Sequence, residues 1–248
     1  MDDPKEILEV IRRNIHLHRI FLKTVESVFR EDPLLGNNQS VIHTIKTRIK
    51  DDERIEEKIR RKNEKGVEVT KENAFDQITD LAGLRVIHLH SAQFTPIHEC
   101  IQRQLKSGDW VLFEEPKAYT WDPESRAFFE SHQIKVHVKE SFYTSIHYVV
   151  RPRRDSVAAC EIQVRTLFEE IWGEIDHLIN YPFPTANRSC REQIRVLARL
   201  VGAGSRLADS IFQTHMEGLP AAKETLVGAT PSQKGSLEPT EAPSVPDF

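Results

Sequence analysis

Apolar residues in the first thirty positions recur at three- and four-residue spacings: Ile7, Leu8, Ile11, Ile15, Ile20, Phe21, Val25 and Phe29. That period predicts an amphipathic helix, or a helix pair, over 5–30. Leu35-Gly36-Asn37-Asn38 breaks it. A second, charge-dense helix is predicted from Val41 to Lys65. Residues 84–90, Leu-Arg-Val-Ile-His-Leu-His, are apolar and β-prone and predict a strand. Phe94–Leu105 predicts a helix packed on that strand, and Trp110–Phe113 a further strand. The stretch 114–138 is polar, dotted with aromatics and without a period, so it reads as irregular. Two strands are predicted at 145–151 and 158–165. Over 167–181, Phe168, Ile171, Trp172, Ile175 and Leu178–Ile179 form one stripe of a helix. Another helix follows at about 190–215, after Pro182 and Pro184. From Leu219 onward come five of the thirteen prolines, with Ser, Thr and Glu and hardly a large apolar group. Such a segment cannot bury enough surface to order itself, so 219–248 is expected to be a disordered tail. Helices, a small sheet and helices again make an α+β fold. The expected organisation is an N-terminal helical segment (1–40) and a folded unit (41–215).

Composition narrows the function without naming it. The 248 residues are 39% hydrophobic and 29% charged, enough for one domain with a real core. A formal net charge of −4 removes the polycation character of a nonspecific DNA binder, so any basic site is local. Cys100, Cys160 and Cys190 are widely spaced and form no ligand pattern, which leaves them as small buried hydrophobes. The acidic start, MDDPKEILEV, is neither a signal nor a transit peptide, and no apolar run approaches the ~20 residues of a membrane span. A soluble, cytoplasmic protein with no membrane partner is expected.

Four segments can carry chemistry, each with a plainer alternative. Lys50, Arg54, Lys58, Arg61/Lys62 and Lys65 recur every three or four residues, a stripe that is either a polyphosphate cradle or a solvated face tied by pairs such as Glu56–Arg60. Asp80, just ahead of a strand and near Gly83, either presents a carboxylate for Mg²⁺ or caps a turn. In extended chain Tyr143, Ser145 and His147 share one face, offering a ring to stack on a base and an imidazole for a phosphate, or else a half-buried strand face. On 160–165, Cys160, Ile162 and Val164 point one way and Glu161, Gln163 and Arg165 the other. Glu161 can then join Asp80 on a metal or accept a hydroxyl proton, or the face is polar with no task.

Taken in order, the basic stretch, DLAGLR (80–85), KESFYTSIH (139–147) and EIQVRT (161–166) with the helix FEEIWGEIDHLINY resemble the synthetase domain of the RelA/SpoT family, closest to its single-domain small alarmone synthetases. The likeness covers about residues 40–215. It implies a mixed sheet flanked by helices, a nucleotidyltransferase-like synthetase fold, with ATP as pyrophosphate donor, GDP or GTP as acceptor, and Mg²⁺. It implies ATP contacts at Arg48, Lys50, Lys58 and Arg61, with Arg85 and Arg48 stacking over adenine and Lys117 near the donor phosphates. Asp80 and Glu161 are implied as the catalytic, metal-holding carboxylates. Lys139, Glu140, Tyr143, His147 and Gln163 are implied around the acceptor, Tyr143 stacking on its guanine. Single-domain relatives form homotetramers, so a homo-oligomer is expected. The long members' hydrolase signature has no counterpart here, which implies synthesis without hydrolysis.

The chain departs from the family pattern at several points. Phe142 stands where the family has glycine, Arg54 where close relatives have serine, and Thr144 where an arginine is common; the segment 118–138 is longer than expected. These keep three other readings open: a toxin-like relative that pyrophosphorylates adenine nucleotides or the tRNA 3′ end, a nucleotidyltransferase moving NMP, and a catalytically silent nucleotide-binding module.

Overall fold

A computed structural model of the chain describes residues 2–36, 41–139, 141–180 and 183–218. The expected tail, 219–248, and Glu140 lie outside the described residues. The helix α1 (Pro4–Glu31) opens on Asp3, whose carboxylate accepts from the Lys5 amide, with Pro4 in the first turn. It is one continuous helix, followed by the short α2 (Pro33–Gly36).

The expected helix over 41–65 is a strand and then a helix. Thr44–Ile49 is β1 and Asp52–Glu64 is α3. Four β-branched residues in TIKTRI favour the pleated chain, and Asp51 starts the helix by accepting from the Arg54 amide. Then come α4 (Ala74–Gln77), β2 (Ala82–His88), a 3₁₀ turn at Ser91–Gln93 and α5 (Phe94–Ser107). The stretch expected to be irregular is also ordered: β3 (Val111–Thr120), α6 (Pro123–Ser131) and β4 (Lys135–Val138). Register shifts on both sides of Glu114 blur the period of β3, whereas Asp122-Pro123 is a regular cap for α6. The chain continues through β5 (Ser145–Arg151), β6 (Cys160–Thr166), α7 (Leu167–Asn180) and α8 (Arg188–Glu217).

The sheet runs β1-β2-β6-β5-β3-β4. The pairs β2–β6 and β3–β4 are parallel and the others antiparallel. This is the expected α+β plan, a mixed sheet flanked by helices. Its rear face, with Leu84, Val86, Ile146, Tyr148 and Ile162, packs against α5 and the second half of α1. The first half of α1 joins α3 around Ile55, Ile59, Ile78 and Leu81 in a second core. Full burial of Leu81 contributes roughly 1.5–3 kcal/mol and fixes the turn that carries Asp80. The apolar stripe expected on α7 does not serve the core. Trp172 is buried, but Ile171 and Leu178 are 47% and 80% exposed. The inner side of α7 instead brings in Glu170, at 3% exposure, because the sheet face beneath it is cationic.

Candidate active site

Strand alternation sends Arg85, Glu161, Gln163 and His147 to the front of the sheet, away from the apolar rear. Register then aligns one polar residue per strand across all six: Lys46, Arg85, Gln163, His147, Lys117 and Lys135.

On the β1–β2 side the chemistry is ionic. Lys50 and Lys58 each donate to a different oxygen of Asp80, both at 2.6 Å. Burial opposes ionisation of Asp80, yet the two lysines outweigh it and hold its pKa at about 2. Lys50 is pushed below the ordinary lysine range, chiefly by burial and only partly offset by Asp80. Arg85 is tied to Gln163 (3.3 Å), Glu170 (3.2 Å) and Glu174 (2.5 Å). Arg48 lies over Gly83, where a Cβ would come within 3.4 Å of its Nε, so the glycine admits the guanidinium to the sheet. A cleft of about 640 Å³ opens here, lined by Arg48, Lys50, Lys58, Arg61 and Arg85 on one side and reaching Tyr143 on the other.

On the β5–β3 side it is aromatic. The Tyr143 hydroxyl lies 3.0 Å from His147 Nε2, and His147 Nδ1 lies 3.1 Å from Glu161 Oε1. With Nδ1–H donating to the carboxylate, Nε2 accepts from the phenol. Gln163 donates to the other Glu161 oxygen at 2.7 Å. Burial works against the Glu161 charge, as does nearby Asp80, but the hydrogen bonds donated by His147 and Gln163 prevail and its pKa falls below the ordinary carboxylate value. Burial pushes the Tyr143 phenol up, which keeps it a donor. Tyr119 stands edge-on to His147 at 5.0 Å, and Lys139 Nζ sits 4.5 Å over the Tyr119 ring.

Asp80 and Glu161 are thus both held ionised, and the negative charge of Asp80 is felt at Glu161. Among the described residues no group of three or more His, Cys, Asp or Glu side chains is gathered to cage a metal. Mg²⁺ needs no such cage, since one or two carboxylates suffice beside substrate phosphates and water. The donor set fits, provided a lysine yields an Asp80 oxygen.

Sequence reasoning placed Lys117 with the donor cations. It lies instead on β3 opposite His147, three strands from Arg85, and its ammonium pairs with Glu114. Reasoning from sequence missed Glu170 and Glu174, which face inward as an i,i+4 pair, and also Tyr119 and His137. The first pair carried a helical-spacing signal; the second was hidden in the segment without a period.

A family profile described as a region found in RelA / SpoT proteins matches residues 47–185, more than half of the chain. The chain belongs to the RelA/SpoT family. Among curated relatives it is similar to the GTP pyrophosphokinase YwaC of Bacillus subtilis (strain 168), 25% identical over 185 residues, 73% of this chain and 80% of that one. It is also similar to the GTP pyrophosphokinase YjbM of the same organism, 26% identical over 225 residues, 88% and 92% of the two chains. Its fold matches the crystal structure of the small alarmone synthetase 1 from Bacillus subtilis with a TM-score of 0.62 at 23% identity, covering 83% and 96% of the chains. The same protein bound to its product pppGpp matches with a TM-score of 0.55 at 23% identity, covering 86% and 96%.

Proposed function

We propose that this chain is an ATP-dependent nucleotide 3′-pyrophosphokinase making (p)ppGpp-type alarmones from ATP and GDP or GTP. One observation carries the reading: two ionised carboxylates, Asp80 and Glu161, lie between a cationic cleft and a ring–imidazole pair. That is the division a transfer between two nucleotides needs. The curated relatives named GTP pyrophosphokinase support it.

In this reading the acceptor 3′-oxygen attacks the β-phosphorus of ATP, the bond from that phosphorus to the bridging oxygen breaks, and AMP leaves. Tyr143 stacks on the acceptor base and fixes its angle. Glu161, already ionised, accepts the 3′-hydroxyl proton while His147 and Gln163 hold the carboxylate in place. Lys50, Lys58 and Arg61 neutralise the donor phosphates, and Arg48 with Arg85 flank adenine. Bound Mg²⁺ would be held by Asp80 with Glu161 and would supply charge neutralisation across the donor phosphates.

Phe142 favours a second reading of the acceptor. Its φ of +64° is a backbone region that glycine enters freely and other residues rarely adopt, and its ring lies 5.0 Å from Trp121. A loop held in this way can suit an acceptor other than guanine, such as an adenine nucleotide or a tRNA 3′ end. Labelled ATP and Mg²⁺ incubated with GDP, GTP, ATP or tRNA separate the cases by product. Absence of a pyrophosphorylated product with every acceptor would leave the silent module or, where a nucleotidylated product forms instead, a nucleotidyltransferase moving NMP.

Working in the cytoplasm follows from these substrates; no helix among the described residues is long and apolar enough to cross a membrane. A homotetramer is also part of the proposal. Leu178, Leu200, Leu207 and Ile211 are each 59% exposed or more on α7 and α8, an apolar surface suited to self-association. A monomer mass by light scattering at micromolar concentration would contradict it.

A further inference from the structure

Beyond the catalytic pair the front face continues across two more strands, and the reaction described above assigns nothing to its outer edge. The cross-sheet row runs from His147 to Lys117 on β3 and Lys135 on β4. In the neighbouring row Tyr119 faces His137, ring centroids 5.7 Å apart. Val136, between the two β4 residues, packs on the rear core, which confirms that Lys135 and His137 share the front.

Three features of this edge point to an anion. Lys135 is exposed and has no ion-pair partner among the described residues, unlike Lys117, which Glu114 neutralises. Lys139, at the end of β4, extends over Tyr119 and adds a second ammonium. His137 is half-buried and its Nε2, shielded from solvent, has no hydrogen-bond partner among the described residues, a cost that is relieved when the ring turns outward to a ligand oxygen.

We propose that β4 carries the subsite for the acceptor's 5′-phosphates, read by Lys135 and His137. The inference rests on the proposed reaction for the acceptor's orientation. With the 3′-oxygen at Glu161 and the base on Tyr143, the β1–β2 direction is filled by donor cations. Only the β3–β4 direction remains for the acceptor's phosphate chain. From β6 to β4 is three strand spacings, roughly 14 Å, the span of a nucleotide with its phosphates. Lysines suit this task as mobile point charges that follow a flexible chain. The segment 118–138, whose length departs from the family pattern, thereby gains a purpose: α6 and its turn place a sixth strand where the acceptor ends.

Steady-state KM values for GTP, GDP and GMP at saturating ATP test the subsite. In the wild type, KM should rise as phosphates are removed. Lys135→Ala should raise the GTP KM about tenfold, leave the GMP and ATP KM values in place, and flatten the order. His137→Gln, which keeps a hydrogen-bonding group, should have a smaller effect in the same direction. An unchanged GTP KM in Lys135→Ala, or a rise confined to ATP, overturns the proposal. If the wild type transfers to no guanine nucleotide, the reaction itself is wrong and the subsite is judged by binding. Tripolyphosphate titrated calorimetrically should then bind Lys135→Ala more weakly than wild type, and equal affinity overturns the subsite.

Discussion

The two sides of the front face are built from different physics. On the β1–β2 side charge holds the central groups: Asp80 by Lys50 and Lys58, Arg85 by Glu170 and Glu174, Lys46 by Glu170. On the β5–β3 side the groups are held by ring packing and hydrogen bonds: Tyr143 and Phe142 against the Trp172 cluster, then Tyr143 to His147 to Glu161. The first arrangement answers to whatever charge enters the cleft, because its cations can exchange a carboxylate for a phosphate. The second is preorganised and answers to shape. A donor polyphosphate and an acceptor base need those two kinds of site.

The largest expected effect comes from the carboxylates that join the two sides. Asp80→Asn and Glu161→Gln should each cost ~10²–10⁴ in transfer rate. Single-turnover assays on folded variants decide it; a fully active variant removes the proposed metal and base positions. Smaller, and confined to one side, is Tyr143→Ala. Loss of a stacked base is worth about ten- to a hundredfold on the scale of nucleic-acid sites. It should fall on the acceptor KM with the ATP KM nearly unchanged, and Tyr143→Phe should be mild. If Tyr143→Ala instead moves the ATP KM, the assignment of the two sides is reversed.

The ionic side should also show in acid. The Asp80 pKa drops from 3.8 unfolded to about 2 folded, so its ionised form contributes about 2 kcal/mol. Because the folded value is the lower one, this stability is present above pH 3.8 and lost as pH falls through about 2. Denaturant unfolding as a function of pH should show that acid limb flattened in Asp80→Asn. An equally steep limb in the variant would mean the lysine pairs contribute nothing. On the packed side, Phe142→Ala should destabilise, and Phe142→Gly should be the more stable of the two by about 1 kcal/mol, since glycine carries no left-handed penalty. Equal stability would remove the strain at Phe142. The smallest contrast is salt: raising ionic strength should weaken ATP binding more than binding of GMP, the acceptor with the fewest phosphates for the β4 lysines. A parallel rise in both KM values would erase the distinction drawn here.

Much of this site was legible in the sequence. EIQVRT sorts its own side chains by strand alternation, and Glu161 and Gln163 do face the front with Ile162 and Val164 in the core. Tyr143 and His147 do share a face and touch. Residues 44–49 were lost to a charge period that looked helical, because Lys and Arg recur there as in α3 and only the β-branched residues between them mark a strand. The segment 114–138 was lost because register shifts break the alternation of β3.

The sequence by itself determined what is local: amphipathic helices, alternating strands, caps at Asp3 and Asp51, and the identity of the reactive groups. Those follow from periodicity and from hydrogen bonds only a few residues apart. Tertiary structure alone decided which charges meet. Lys50 and Lys58 reach Asp80 across 30 and 22 residues, Arg85 meets Glu174 across 89, and Lys117 ends beside His147 and Lys135. Strand order set these meetings, and strand order is fixed by long-range burial of the rear face, a free energy summed over the whole sheet that no local pattern records.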